Sequence, residues 1–130
     1  MIDKLAWIET SEGLVLSTRS KGRTSYYLPG GKRELGETDA QTLLREIKEE
    51  LSVDLDAASL QLMGVFQAQA DSHPDGVLVQ MTCYTGRYAG TLKPDHEIEE
   101  LVWLCYKDRD KVSAVDKLIF DWLKGKGLLR

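Results

Sequence analysis

The sequence predicts an α/β fold in which a mixed β-sheet is held between helices. Two segments, near residues 38–51 and 111–124, carry apolar side chains at the three- and four-residue spacing of an amphipathic helix. The segments around them are short, contain β-branched and aromatic residues, and are bounded by turn residues, which is typical of strands. Because strands come both before and after the first helix, the expected architecture is a sheet with helices packed on it.

Six segments are predicted to be strands: residues 4–9, 14–19, 26–28, 60–69, 77–88 and 101–106. The first two are separated by Ser11-Glu12-Gly13, which favours a turn. The fourth and fifth are joined by residues 71–76, a run rich in Asp, Ser, Pro and Gly that also favours a turn. The final helix is expected to bury one apolar stripe, formed by Val112, Val115, Leu118, Ile119, Trp122 and Leu123.

The first helix has a well-defined beginning. Thr38 is followed three residues later by Gln41, which is the spacing of a capping box, so Thr38 is the predicted N-cap. A buried stripe is expected at helical spacing along Ala40, Leu43, Leu44, Ile47 and Leu51. One face of this helix should therefore pack against the core.

Three glutamates lie on a neighbouring face of the same helix. Glu46, Glu49 and Glu50 are spaced i, i+3 and i+4, so their side chains project together, one turn apart. Like charges at this spacing destabilise an isolated helix, which predicts that a multivalent cation lies over them. Carboxylate oxygens without nitrogen or sulfur ligands suit Mg²⁺ or Mn²⁺.

The run from Pro29 to Val53 resembles the Nudix box, G-x5-E-x7-R-E-U-x-E-E-x-G-U, where U is aliphatic. Eight positions match in register: Gly31, Glu37, Arg45, Glu46, Ile47, Glu49, Glu50 and Val53. Ser52 stands where the family has a glycine that closes the helix, so this departure is expected to affect stability rather than chemistry. The resemblance, with the mutator-type hydrolases as the nearest branch, implies a Nudix-type α/β/α sandwich forming a single domain over residues 1–130.

The resemblance also implies an enzyme and its site. It indicates a pyrophosphohydrolase that cleaves a pyrophosphate linkage in a nucleoside diphosphate-linked small molecule, with Mg²⁺ or Mn²⁺ as cofactor. The implied metal ligands are the carboxylates of Glu46, Glu49 and Glu50 and the carbonyl of Gly30. Arg45 is expected to orient these carboxylates. Glu37 is expected to be structural and to tie the loop together.

A further acid outside the box is expected to complete the site as a metal ligand or general base. In mutator-type enzymes this acid is a glutamate six residues before a strand tryptophan, and Glu97 stands six residues before Trp103. Glu100 is the alternative. Arg19 is expected to bind the substrate, because it lies where the family often places a phosphate-binding arginine. Lys32 is the next candidate for substrate binding, and Lys32, Arg23 and Lys21 are all weaker candidates than Arg19.

The sequence narrows the substrate only to a class. The expected substrates are (deoxy)nucleoside triphosphates, including oxidised forms, and nucleotide-sugars such as ADP-ribose. One alternative is a non-catalytic Nudix-fold sensor of a nucleotide or sugar-nucleotide, for which loss of a box glutamate is the usual sign. Another is an isoprenoid diphosphate isomerase, which would call for a catalytic cysteine and additional metal-binding histidines.

Composition agrees with a small enzyme. A chain of 130 residues with 42% hydrophobic content can form one core. The net charge of −4 argues against polymeric nucleic acid or an anionic membrane as a partner. There is no signal-peptide pattern and no apolar run near the ~20 residues of a membrane span. Cys83 and Cys105 are expected to be reduced and buried, which favours a cytoplasmic protein. The protein is expected to be a monomer or a homodimer.

Overall fold

The computed structural model describes residues 1–130. In chain order its helices and strands are β1 (Ile2–Trp7), β2 (Thr10–Ser11), β3 (Leu14–Ser20), β4 (Gly30–Lys32), α1 (Asp39–Leu51), β5 (Asp54–Leu55), β6 (Gln61–Gln69), β7 (Leu78–Thr85), β8 (Tyr88–Ala89), β9 (Ile98–Leu104) and α2 (Ala114–Gly125). Two short 3₁₀ segments, Ala57–Ser59 and Tyr106–Lys111, precede β6 and α2. Neither α-helix is both long enough and apolar enough to cross a membrane.

The strands form a mixed sheet and two smaller antiparallel ones. The mixed sheet has the order β4-β1-β7-β6, in which β1 and β7 are parallel and the other neighbours are antiparallel. The second sheet has the order β2-β3-β9, and β5 pairs with β8. The predicted mixed sheet is therefore confirmed.

The mixed sheet separates two cores, because successive side chains of a strand point to opposite faces. In β1, Leu5 and Trp7 join a core that includes the apolar face of α1. Ala6, between them, joins a larger core that includes the apolar face of α2. The two helices thus cover opposite faces of the sheet, and the predicted α/β/α sandwich is confirmed.

One predicted strand lies in the wrong place. Tyr26 and Tyr27 form only isolated bridges, to Val112 and Thr18, and the glycines that follow form β4 against β1 instead. Glycine is a poor strand former, so the sequence pattern indicated a loop there. Long-range pairing overrides this preference because a residue without a side chain allows the two backbones to approach closely.

The final helix begins three residues later than predicted. Ser113 is its N-cap, with its hydroxyl accepting a hydrogen bond from the backbone N–H of Asp116, and residues 106–111 form the 3₁₀ segment before it. Leu118 is 42% exposed, so its predicted burial is wrong, and Trp122 is only half-buried. The buried stripe is narrower than the sequence pattern indicated.

The first helix begins as predicted, and Leu43, Ile47 and Leu51 of its predicted stripe are buried, whereas Ala40 and Leu44 are only half-buried. The Thr38 hydroxyl accepts the backbone N–H of Gln41 at 3.2 Å, and the Gln41 side chain accepts the backbone N–H of Thr38 at 2.9 Å. The predicted capping box is therefore confirmed. At the other end, Ser52 adopts the left-handed conformation, with φ 64° and ψ 20°.

Ser52→Gly is expected to stabilise the protein by up to about 1 kcal/mol, because a side chain disfavours the left-handed conformation that glycine adopts freely. The gain is partly offset by the loss of the hydrogen bond from the Ser52 hydroxyl to the Lys93 carbonyl, at 3.2 Å. Ser52→Ala is the matched control, since it loses that hydrogen bond but keeps the strained backbone. Thermal melts should place the glycine variant above the alanine variant, and the reverse order would contradict the prediction.

The two cysteines are both free, as predicted. Cys83 is fully buried in β7. Cys105 is only half-buried because it follows the end of β9, so the prediction of a buried residue is wrong for this position.

Candidate active site

Glu50 is the most buried acid of the glutamate cluster. It lies in the last turn of α1, is 7% exposed, and accepts a hydrogen bond from the backbone N–H of Gly30 at 2.9 Å. Burial, with a smaller contribution from the neighbouring charges of Glu46, Glu97 and Glu49, raises the pKa of its carboxyl to about 8. A carboxylate in such a place is ionised at neutral pH only if a cation offsets these effects.

The glycine loop fits closely against β1 and the glutamates. Gly30 has a φ of +145°, and a Cβ there would lie 2.0 Å from the backbone carbonyl oxygen of Leu5. At Gly31 a Cβ would lie 2.5 Å from the carboxyl carbon of Glu46. Gly30 therefore requires glycine, because a side chain would clash with the backbone of β1, whereas a side chain at Gly31 would displace the carboxylate of Glu46.

Arg45 connects the loop to the helix. Its guanidinium donates two hydrogen bonds to Glu37, at 2.7 and 2.9 Å, one to Glu46 at 2.9 Å, and one to the carbonyl of Lys32 at 3.1 Å. The pair with Arg45 lowers the pKa of Glu37 to about 2. These hydrogen bonds fix the carboxylate of Glu46 and connect α1 to β4 and to the loop that carries Glu37.

A second loop, which carries Glu97, is fixed to the end of α1. The carbonyls of Glu49, Glu50 and Leu51 have no partner within the helix, as is usual for a last turn. The His96 imidazole Nδ1 lies 2.9 Å from the Glu49 carbonyl oxygen. The backbone N–H of Asp95 donates to the Glu50 carbonyl at 3.0 Å, and that of Lys93 donates to the Leu51 carbonyl at 3.0 Å. This capping brings Glu97 beside the box, although it lies more than forty residues away in the sequence.

The two candidates for the further acid occupy different surroundings. The charge of Glu97 contributes to the raised pKa of both Glu46 and Glu50. Glu100 instead accepts hydrogen bonds from Arg19 at 3.0 Å and from the Tyr26 hydroxyl at 2.5 Å. The structure therefore brings Glu97 towards the box glutamates, while Glu100 is part of a separate ion pair.

A cavity of about 340 Å³ is lined by Glu50, together with Gly30, Gly31 and Lys32. Glu46, Glu49 and Glu97 do not line it. Arg19 does not line the cavity, whereas its strand neighbours Thr18 and Ser20 do, and the weaker candidate Arg23 also lines it. The guanidinium of Arg19 is held by Glu100 instead.

Asp116 is a residue of interest that the sequence analysis did not identify. It is fully buried at the start of α2, and one carboxylate oxygen accepts the backbone N–H of Leu28 at 2.9 Å. Its other oxygen, Oδ1, has no hydrogen-bond partner. In the sequence it resembles an ordinary acid in the first turn of a helix, and only its burial distinguishes it.

Asp116→Asn is expected to change how stability depends on pH. Burial raises the pKa of Asp116 to about 7, above the ordinary value near 3.9. Between these values the folded state retains a proton that the unfolded state has lost, so wild-type stability falls as the pH rises from about 4 to about 7. Asparagine is neutral throughout, so the melting temperature of the variant relative to wild type should rise over this range.

Asp121→Asn is the control for this prediction. Asp121 lies on the same helix, where its ion pair with Arg109 lowers its pKa. The stability that the Asp121 carboxylate contributes is lost only as the pH falls. The melting temperature of Asp121→Asn relative to wild type should therefore not rise between pH 5 and 8. A constant difference between wild type and Asp116→Asn across that range would contradict the prediction.

The donor set fits a hard divalent cation. The acids around Glu50 offer carboxylate oxygens, which are the ligands that Mg²⁺ and Mn²⁺ prefer. As the side chains stand, no three His, Cys, Asp or Glu residues converge closely enough to hold a metal ion. The side chain of Glu49 is 44% exposed and Glu97 is also exposed, so packing does not fix either carboxylate in its present position.

A carboxylate-bearing helix, a glycine loop and a cavity together define a site of the kind found in metal-assisted phosphoryl hydrolases. The family model of the NUDIX domain matches residues 5–123. The chain therefore belongs to the Nudix family and is a Nudix pyrophosphohydrolase. Enzymes of this family hydrolyse nucleoside diphosphate-linked compounds and generally need divalent metal ions.

Solved structures share this fold. The solution structure of the E. coli ORF135 protein has a TM-score of 0.75 at 22% sequence identity, and the match covers 96% of this chain and 89% of that one. The MutT NUDIX hydrolase from Burkholderia pseudomallei has a TM-score of 0.74 at 19% identity, with 92% and 95% covered. The MutT protein from Methanosarcina mazei Go1 has a TM-score of 0.73 at 18% identity, with 97% and 94% covered. Comparison with curated protein sequences gives no match.

Proposed function

We propose that this Nudix hydrolase uses Mg²⁺, or Mn²⁺, to hydrolyse the pyrophosphate linkage of a (deoxy)nucleoside triphosphate, including oxidised forms, or of a nucleotide-sugar such as ADP-ribose. The observation that carries the proposal is the position of Glu50. Its carboxylate is buried against the glycine loop, surrounded by other acids, and lines the cavity. Such an arrangement is costly for the protein alone and becomes favourable when a divalent cation binds, which can then also hold a diphosphate.

The metal ligands in this proposal are the carboxylates of Glu46, Glu49 and Glu50 and the carbonyl of Gly30. The metal, when bound, neutralises phosphate charge and lowers the pKa of a water molecule. Arg45 holds Glu46 in place through a hydrogen bond of 2.9 Å. Its other hydrogen bonds keep the loop against the helix, so the ligands from the two elements stay together.

Glu97 is the proposed general base. It accepts the proton of the attacking water while the new P–O bond forms and the diphosphate linkage breaks. Support comes from its electrostatic effect on Glu46 and Glu50 and from the anchoring of its loop to the last turn of α1. Glu100 is less suited to this role because Arg19 and Tyr26 already bind its carboxylate.

The cavity supports a small nucleotide as the substrate. Apolar side chains provide a surface for a base: Ile2, Leu28, Ala70, Val79, Met81 and Val115. Lys32 and Arg23 add positive charge for the phosphates. Arg19 is a weaker candidate for phosphate binding than its position in the sequence indicated, because its ion pair with Glu100 would have to break first.

The proposed subfamily is the mutator-type branch. The proposed location is the cytoplasm, and the proposed oligomeric state is a monomer or a homodimer.

The test is a substrate screen of purified protein with Mg²⁺. Nucleoside triphosphates, oxidised deoxynucleoside triphosphates, ADP-ribose, NADH and dinucleoside polyphosphates are assayed for product release. Activity is expected to require Mg²⁺ or Mn²⁺, and to rise towards alkaline pH because the attacking water must lose a proton. Chelator is the control for the metal.

Full activity in excess chelator would contradict the role assigned to the glutamates. Binding of a nucleotide or sugar-nucleotide with no turnover of any compound would instead favour the sensor function. The presence of all the box glutamates argues for hydrolysis.

A further inference from the structure

Two lysines face each other across the strands that hold the glycine loop. Lys4 in β1 and Lys32 in β4 are directly paired in the antiparallel register. Residues paired in this way project from the same face of the sheet, with Cβ atoms about 5 Å apart. Like charges in such a pair destabilise a sheet, so this pair costs stability unless an anion lies between the ammonium groups.

Neither lysine has a partner for its charge. No carboxylate lies within 4.0 Å of either ammonium group, and neither side chain makes a hydrogen bond. The neighbouring Arg33 and Arg45, in contrast, are each paired with two or more acids. Lys4 is half-buried, and its charge lowers the pKa of Asp116 only from beyond ion-pair distance.

Both lysines line the cavity that Glu50 also lines. Along β4, Lys32 is two residues from Gly30, which corresponds to roughly 7 Å at the rise of a strand. An ammonium group on a flexible stem can therefore reach an anion next to the glutamates. Each ammonium offers three hydrogen-bond donors, which phosphoryl oxygens accept.

We propose that Lys4, together with Lys32, binds a phosphoryl group of the substrate next to the two phosphates of the scissile linkage. Lys4 thereby favours substrates that carry a third phosphoryl group, the nucleoside triphosphates, over nucleotide-sugars. This inference rests on the proposed function and deepens it, because it selects between the two substrate classes that the site accepts.

The experiment uses inorganic probes, so that it does not depend on the base. Diimidotriphosphate and imidodiphosphate resist hydrolysis and differ by one phosphoryl group. Each is titrated calorimetrically into the protein with Mg²⁺ present. Wild type is expected to bind the triphosphate analogue more tightly. Lys4→Met keeps the apolar stem but removes the charge, and should weaken that binding about tenfold, the loss of one charge-assisted hydrogen bond.

Three controls make the result specific. Lys107→Met removes the same charge outside the cavity and should leave both affinities unchanged. Lys4→Arg keeps the positive charge and should retain most of the binding. In Lys4→Met, affinity for imidodiphosphate should fall by less than about twofold, since the two phosphates of that probe are held at the glutamates.

Thermal melts without ligand separate this role from a structural one. If Lys4 binds an anion, its removal relieves repulsion with Lys32, and Lys4→Met should melt at or above the wild-type temperature. If Lys4 were instead the structural counter-ion of Asp116, the variant would melt lower and bind the triphosphate analogue normally, which would overturn the inference.

The outcomes distinguish this inference from the proposed function. A wild type that binds the analogues as described but hydrolyses no nucleotide would contradict the proposed function and leave the lysine site standing. An active enzyme in which Lys4→Met binds both analogues like wild type would overturn the lysine site and leave the proposed function standing. A wild type that does not discriminate between the two analogues would also overturn the lysine site.

Discussion

Glu50→Gln is expected to lower turnover by several orders of magnitude while the fold remains intact. The substitution removes a ligand charge without changing the size of the side chain, and the amide oxygen can still accept the N–H of Gly30. The remaining acids would hold the cation less tightly, so less of the phosphate charge would be neutralised in the transition state. Glu49→Gln is expected to act in the same direction for the same reason.

The measurement combines turnover at saturating Mg²⁺ with thermal melts. In the metal-free protein the Glu50 pKa of about 8 lies above its ordinary value, so wild-type stability falls as the pH rises towards 8. Glu50→Gln should therefore melt at or above the wild-type temperature at neutral pH in chelator. Glu99→Gln, which neutralises an exposed acid of β9, is the matched control and should retain activity. Near wild-type turnover in Glu50→Gln would show that the site is wrongly assigned.

Glu97→Gln is expected to lower turnover by roughly 10²-fold or more at saturating Mg²⁺, the usual contribution of a general base. Glu100→Gln is expected to have a much smaller effect. It weakens the hydrogen bonds with Arg19 and Tyr26, which lie apart from the box, so its effect should appear in stability rather than in the chemical step.

The comparison of these two variants is decisive because they make the same chemical change three residues apart. A large fall for Glu100→Gln, with Glu97→Gln unaffected, would transfer the role to Glu100. No effect in either variant would leave the base within the glutamates of α1.

The sequence by itself determined the features that depend on local pattern. The capping box at Thr38, the apolar stripe of α1 and the spacing of Glu46, Glu49 and Glu50 follow from the helical period alone. The left-handed end at Ser52 follows from its place in the family pattern. These predictions succeed because each involves residues within one or two turns of the same helix, where chain geometry limits the alternatives.

Features that depend on residues distant in the sequence were predicted less well. The strand at residues 26–28 was wrong because the pairing of Gly30 and Gly31 with β1 depends on residues more than twenty positions away. The burial of Leu118 was wrong because an apolar residue at the margin of a helical stripe is covered only if a neighbouring element reaches it. Neither outcome can be read from a single segment.

Only the tertiary structure decided which distant groups meet at the site. The capping of three α1 carbonyls draws the Glu97 loop to the box, and the pairing with Arg19 draws Glu100 away. The strand register sets Lys4 opposite Lys32, and burial distinguishes Asp116 from an ordinary surface acid. The physical reason is the same in each case: charge and burial depend on neighbours in space, and long-range contacts are set by how the sheet pairs.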